Sequence, residues 1–312
     1  MGKDVKILDC TLRDGGLVNS FHFSDDFVKA LYKTNIRSGI DYMEFGYKAS
    51  SSFFSKEEYG KGKFCDESYI RSVIDKFSET MKITVMADIG RTNFKSDIIE
   101  KSDSIIDMIR IAVYAENISE ALPMIDYCKK RGYEVAINIM AISLIPKDSI
   151  TKILELLGKS SCDVVYLVDS YGALYPRQFL EVFHVFLDKT DKYGQKVGIH
   201  VHNNQQLAFA NSIIGYENGA DFIDISIDGL GRGAGNCASE LFISYMNSNC
   251  YKITPLLEFK QKYMSRLKED GMAWGYDTPY LITGSKNRHP ISAIEFIKNK
   301  EEDYIKLYDH LK

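Results

Sequence analysis

The chain has 312 residues, 45% hydrophobic and 26% charged, with a formal net charge of −4. That is enough apolar material for a large core, and it offers no electropositive footprint for nucleic acid. No apolar run approaches the roughly 20 residues that a membrane-spanning helix requires.

Taken in chain order, the first predicted strand is VKILD (5–9), which delivers DCTLRDGG (9–16), so Arg13 and Asp14 fall just past its end. DYMEFG (41–46) is the second strand, and the longest connection follows it, YKASSSFFSKEEYGKGKF (47–64). A loop of that length after a strand is expected to shape or cover a substrate site. KITVMAD (82–88), MIRIAV (108–113), EVAINIMA (134–141) and DVVYLVD (163–169) come next, each apolar nearly throughout, as a strand covered on both faces must be. Between them NISEALPMIDYCKKRGY (117–133) reads as an amphipathic helix, with Ala121, Met124, Ile125 and Cys128 at helical spacing and Gly132 as its stop. KVGIHVH (196–202) is the seventh strand, LAFANSIIGYENGA (207–220) a helix closed by Gly219, and DFIDISI (221–227) the eighth strand.

Eight strands alternating with helices predict a (β/α)8 TIM barrel, with a doubly wound open sheet as the alternative. The division expected is a barrel domain over 1–251 and a helical extension over 252–312, packed on or beside it. Trp274 and the tyrosines of that extension are plausible material for a homodimer interface. Six cysteines, at 10, 65, 128, 162, 237 and 250, form no C-x-x-C pair, and MGKDVKILDCTLRDGG has no h-region or cleavage site. Both features predict a cytoplasmic protein with reduced thiols.

The chemistry is expected where barrel strands end. His200 and His202 stand two residues apart on one strand, so their side chains point the same way. With Asp14 from the first strand they make two imidazoles and a carboxylate, a set suited to a divalent cation such as Mn²⁺, Mg²⁺, Co²⁺ or Zn²⁺. Arg13 beside such an ion has a specific use, because a guanidinium stabilises the negative charge of an enolate. After strand eight, GLGRGAGN (229–236) lets the backbone turn tightly and approach a ligand. Asp9 and Asp169 are less distinctive, since acids at strand ends often only anchor their neighbours.

Together DCTLRDG, HVHN and GLGRGAGN resemble the metal-dependent aldolase/lyase superfamily of TIM barrels. That group includes 3-hydroxy-3-methylglutaryl-CoA lyase, the isopropylmalate and homocitrate synthases, and 4-hydroxy-2-oxovalerate aldolase. Residues 197–240 and VVYLVDSYGAL (164–174) are most similar to the last. The resemblance implies that Asp14, His200 and His202 bind the metal, Mn²⁺ being the first choice, and that Asn236 adds a ligand. It implies further that Arg13 holds the enolate oxygen, that Ser170 lies near the bound 2-oxo acid, and that Tyr280 lies near the reacting hydroxyl.

The departures from that pattern concern the base. The aldolase has a histidine three residues after its metal aspartate, where this chain has Leu17, and a histidine where this chain has Asn203. His22 or a metal-bound hydroxide then becomes the candidate base. The C-terminal region is shorter than the aldolase's partner-binding domain, which argues against a channelling dehydrogenase partner.

The expected function is a carbon–carbon lyase acting on pyruvate or a related 2-oxo acid and an aldehyde. The alternatives are a Claisen-type acyl-CoA synthase or lyase, and a metal-binding barrel without catalysis.

Overall fold

The computed structural model describes residues 5–74 and 76–311. Eight parallel strands close into a barrel in the order β1 to β8. They are β1 (Lys6–Asp9), β2 (Tyr42–Tyr47), β3 (Lys82–Asp88), β4 (Met108–Val113), β5 (Glu134–Ile139), β6 (Val164–Asp169), β7 (Lys196–Val201) and β8 (Phe222–Ile225). Closure is made by β1 against β8, with Ile7 opposite Ile223 and Leu8 opposite Asp224. The open-sheet alternative is thereby excluded. The expected strands end one or two residues early at several places, because the ladder stops where the chain turns outward into the loops.

Alternation along the strands sorts the residues into two cores. One parity faces the helices: Ile7, Met43, Val85, Ile109, Ile111, Val135, Ile137, Val165, Leu167 and Ile199 join the large cluster between strands and helices. The other parity fills the barrel, where Leu8, Tyr42, Met108, Ala136, Val164, Tyr166 and Phe222 form its apolar floor. Gly198 is required in that floor, because a Cβ there would lie 2.5 Å from the Tyr166 ring. Two residues further along the same inward rows stand Glu44, Arg110, Asn138, His200 and Asp224. The sequence therefore places a polar layer on the apolar floor, facing the C-terminal mouth.

Beyond β8 the chain is helical, with helices at Ile253–Phe259, Thr278–Ser285, Ile291–Lys298 and Tyr304–His310 among others. Phe259 packs edge-on against Phe27 of the helix Asp25–Ser38, with ring centroids 5.1 Å apart. Trp274 turns inward, its indole N–H donating to the Asp228 carbonyl at 3.0 Å. Lys260 and Lys268 both reach the Asp228 carboxylate at 2.6 Å. The C-terminal helices are thus tied to the loop after β8. Among the described residues no helix is long and apolar enough to cross a membrane, and all six cysteines are free thiols.

Candidate active site

Arg13 and Asp14 do not sit in an extended strand end but in a short helical turn, Thr11–Gly15, directly after β1. Thr11 starts that turn by donating its hydroxyl to Asp9 at 2.6 Å, so Asp9 serves as an anchor. Asp169 likewise accepts the Ala173 and Leu174 N–H groups, both at 3.0 Å, and fixes the loop after β6. Burial pushes both carboxyls up to about 6, which befits acids that organise backbone rather than carry charge at the mouth.

Asp14, His200 and His202 converge, each offering a ligand atom within 4.8 Å of the others, and all three are buried. Their second contacts orient them. His200 Nδ1 lies 3.0 Å from Asp224 Oδ2, and His202 Nδ1 lies 3.2 Å from the Gly235 carbonyl. Each Nδ1–H therefore donates outward, which leaves the Nε2 lone pair of each ring for an ion. His200 Nε2 is buried without a partner among the described residues. Burial lowers His202 to about 3, so its imidazole is neutral, the form a metal binds. Burial alone would raise the Asp14 carboxyl, but the Arg13 guanidinium beside it holds it well below the usual carboxylate range. It is anionic at any working pH.

Asn236 donates Nδ2 to Asp14 Oδ2 at 2.7 Å, and its Oδ1 is buried without a partner among the described residues. Gly231 makes this approach possible, because a Cβ there would stand 2.4 Å from Asp14 Oδ2 and 2.3 Å from Asn236 Nδ2. The donor set fits a divalent cation: a carboxylate, two neutral imidazoles and an orphaned amide oxygen, in a buried cluster that carries excess negative charge. A second trio, Cys10, His200 and Asp224, also falls within the same reach. It does not fit an ion, since Cys10 donates its thiol to the Ile225 carbonyl at 3.3 Å and Asp224 is taken by Arg110 and His200.

Beneath the ligands runs a charge network that sequence patterns alone did not pick out. Arg13 Nε reaches Glu44 at 2.7 Å and its Nη1 reaches Asp14 at 2.6 Å. Arg110 bridges Glu44 at 2.9 Å and Asp224 at 2.5 Å, with its guanidinium over the Tyr166 ring. The signal was present: Glu44, Arg110 and Asp224 each interrupt an apolar strand run, and a charge buried in such a run must be paired. Two arginines against three carboxylates leave one net negative charge, which a dication reverses.

A cavity of about 310 Å³ opens over this layer, lined by Arg13, Asp14, His200 and His202 and, on its far walls, by Asp88, Arg91, Asn138 and Arg232. Leu17 also lines it, so the position of the aldolase's histidine faces the cavity but carries a side chain that cannot move a proton. The remaining expected residues lie outside this lining. His22 is exposed and pairs through Nε2 with the Glu58 carbonyl at 3.1 Å. Tyr280, in the helix Thr278–Ser285, packs with Ala234 and Ala293 against the loop after β8. Ser170 is buried, its Oγ accepting the Ala141 N–H at 2.9 Å while its carbonyl accepts from Arg232 at 3.3 Å. Arg232 also lies 3.2 Å from His289 Nε2, so the C-terminal helical region braces one wall. Of residues 47–64, expected to shape the site, the cavity lining takes Tyr47, the last residue of β2. Phe54 and Tyr59 instead enclose the Lys63 ammonium together with Phe21 and Tyr47.

Among curated relatives, an oxaloacetate decarboxylase from Mycobacterium tuberculosis is 29% identical over 245 residues, 76% of this chain and 68% of that one. A 4-hydroxy-2-oxovalerate aldolase from Bacillus cereus is 25% identical over 272 residues, 87% of this chain and 76% of that one. Among solved structures, the N-terminal domain of a Bacteroides vulgatus protein assigned as an aldolase superposes with a TM-score of 0.81 at 31% identity, covering 94% of this chain and 97% of that one. The HMG-CoA lyase of Brucella melitensis shares the fold, with a TM-score of 0.70 at 17% identity over 86% of this chain and all of that one. The HMGL-like family model matches residues 4–262, and this chain belongs to the HMGL-like family.

Proposed function

We propose that the site enolises pyruvate or a closely related 2-oxo acid and joins the enolate to an aldehyde, or releases it from the aldol product. The chain is a carbon–carbon lyase of a family whose named members include aldolases and an oxaloacetate decarboxylase. Cleaving a 4-hydroxy-2-oxo acid and decarboxylating a 3-carboxy-2-oxo acid share one chemical demand, since each leaves an electron pair on the carbon beside a 2-oxo group. The observation that carries the reading is the meeting of Asp14, His200 and His202 beside an arginine whose Nη2 has no hydrogen-bond partner among the described residues.

Asp14, His200 and His202, with Asn236, would hold the divalent ion, Mn²⁺ being the first candidate. When bound, the ion supplies Lewis-acid polarisation of the substrate carbonyl. Arg13 does the protein's part at the same oxygen. Its Nε and Nη1 are fixed by Glu44 and Asp14, so the spare Nη2 is held ready before charge develops, which is what makes such a donor effective. Arg232 binds the anionic end of the substrate, positioned by Ser170 and His289. Tyr280 shapes the pocket from behind the loop after β8. Its ring covers Gly233, where a Cβ would stand 3.2 Å from it.

The test is hydrogen exchange at the methyl group of pyruvate. The protein is incubated with Mn²⁺ and pyruvate in D₂O, the metal is chelated, and deuterium uptake is read by mass spectrometry. Exchange is expected in the wild type and lost both without metal and in Asp14→Asn. Exchange that persists in Asp14→Asn, or a metal-loaded wild type that does not exchange, removes the reading.

A further inference from the structure

The enolisation just proposed needs a group that moves a proton, and neither Leu17 nor the surface residue His22 can serve from where they stand. We infer that Asp88, at the C-terminal end of β3, is the catalytic base that takes the proton from C3 of the 2-oxo acid and returns it. This assignment rests on the enolising reading of the site.

Three observations carry it. Thr84, Met86 and Asp88 alternate along β3 toward the barrel interior, and Asp88 lines the same cavity as Arg13, Asp14 and both histidines. Its side chain is only 20% exposed, yet its ion pair with Arg91 is long, Nη1 standing 3.7 Å away, beyond hydrogen-bond reach. The carboxylate is thus enclosed at the mouth without being tied up by its neighbour.

Elimination points the same way. Asp14 is committed to the ligand set, Glu44 is held by both buried arginines, and Asp224 is held by Arg110 and His200. Burial raises the Tyr47 phenol, with Asp88 and other carboxylates adding to the rise, which makes it a poor acceptor of protons. Tyr114 lies at the outer rim, 42% exposed.

The surroundings of Asp88 suit proton cycling. Burial raises its carboxyl above the ordinary value, and Glu44 from β2 adds to the rise. Arg91 from its own turn, Lys63 from the connection after β2 and Arg13 from the turn after β1 pull it back part of the way. A carboxylate made more basic in this way is what general-base catalysis favours. In the step, Asp88 accepts the proton from C3, and the C–H electron pair becomes the C2–C3 double bond. The carbonyl π pair moves onto oxygen, where the spare N–H of Arg13 holds it. In reverse the carboxylic acid returns the proton to C3.

The experiment compares wild type, Asp88→Asn and Asp88→Glu in the same deuterium exchange, alongside Mn²⁺ titration of each protein by electron paramagnetic resonance. Asp88→Asn is expected to slow exchange by about 100-fold or more while its Mn²⁺ affinity stays within about threefold of wild type, as for a residue outside the ligand set. Asp88→Glu should restore part of the rate. The wild-type rate should rise with pH through a raised carboxyl, and Asp88→Asn should lose that limb. Asp88→Asn exchanging at the wild-type rate, or losing its rate only because it loses metal, overturns the assignment while leaving the enolising reading in place. A metal-loaded wild type that does not exchange overturns both.

Discussion

Arg110→Met tests the buried network most directly. Arg110 is 0% exposed and joins Glu44 at 2.9 Å to Asp224 at 2.5 Å. Methionine fills most of the same volume, so little cavity cost is added. The loss is electrostatic. With Arg110 present, two guanidinium groups face Asp14, Glu44 and Asp224; without it only Arg13 remains, and the buried excess grows from one negative charge to two. Glu44 keeps Arg13 and Asp224 keeps His200, so neither acid is wholly stranded. Breaking a buried pair by removing one partner costs about 3–5 kcal/mol. At about 2 °C per kcal/mol for a domain of this size, melting should fall by about 6–10 °C. The measurement is calorimetry in EDTA, since bound metal would offset part of the excess. Adding Asp224→Asn to Arg110→Met removes one of the two uncompensated buried charges and should recover part of the loss. A single variant melting within about 2 °C of wild type would refute the reasoning that Arg110 compensates the layer.

Asp224→Asn acts on the metal through His200, whose Nδ1 it holds. Such second contacts are worth about 10- to 100-fold in affinity, so Mn²⁺ titration should show a loss of that size, and the rise in melting temperature on adding Mn²⁺ should shrink accordingly. Acid stability of the metal-free protein provides the pH test. Burial lowers His202 to about 3 in the folded chain, whereas the unfolded imidazole titrates near 6.5. As pH falls from about 6.5 to 3 the unfolded state takes a proton that the folded state refuses, so this residue costs stability at up to about 1.4 kcal/mol per pH unit. Asp9 and Asp169, raised to about 6, act oppositely between their unfolded and folded values, because there the folded state holds the extra protons. The difference between wild type and His202→Gln isolates the histidine, and urea midpoints that fall in parallel for both proteins on acidification would contradict it.

What the sequence determined by itself was everything that depends on local period and spacing. Apolar runs at regular intervals specify doubly covered strands, amphipathic stretches specify the outer helices, and the two-residue spacing of His200 and His202 puts both imidazoles on one face. The run of glycines after β8 likewise announced a tight turn, and at Gly231 a Cβ would meet Asp14 and Asn236.

Only the tertiary structure decided which charges meet. Glu44 and Arg110 lie 66 positions apart and Arg110 and Asp224 lie 114 apart, so their pairing follows from barrel register, which no local pattern encodes. The same holds for Asp88, an ordinary strand-end acid in the sequence, which closure carries to the cavity wall. It holds in the opposite sense for His22, Ser170 and Tyr280, which sit on a loop, a turn and an outer helix. Where those side chains come to rest depends on how each segment docks, and docking is settled by packing against partners far away in the chain.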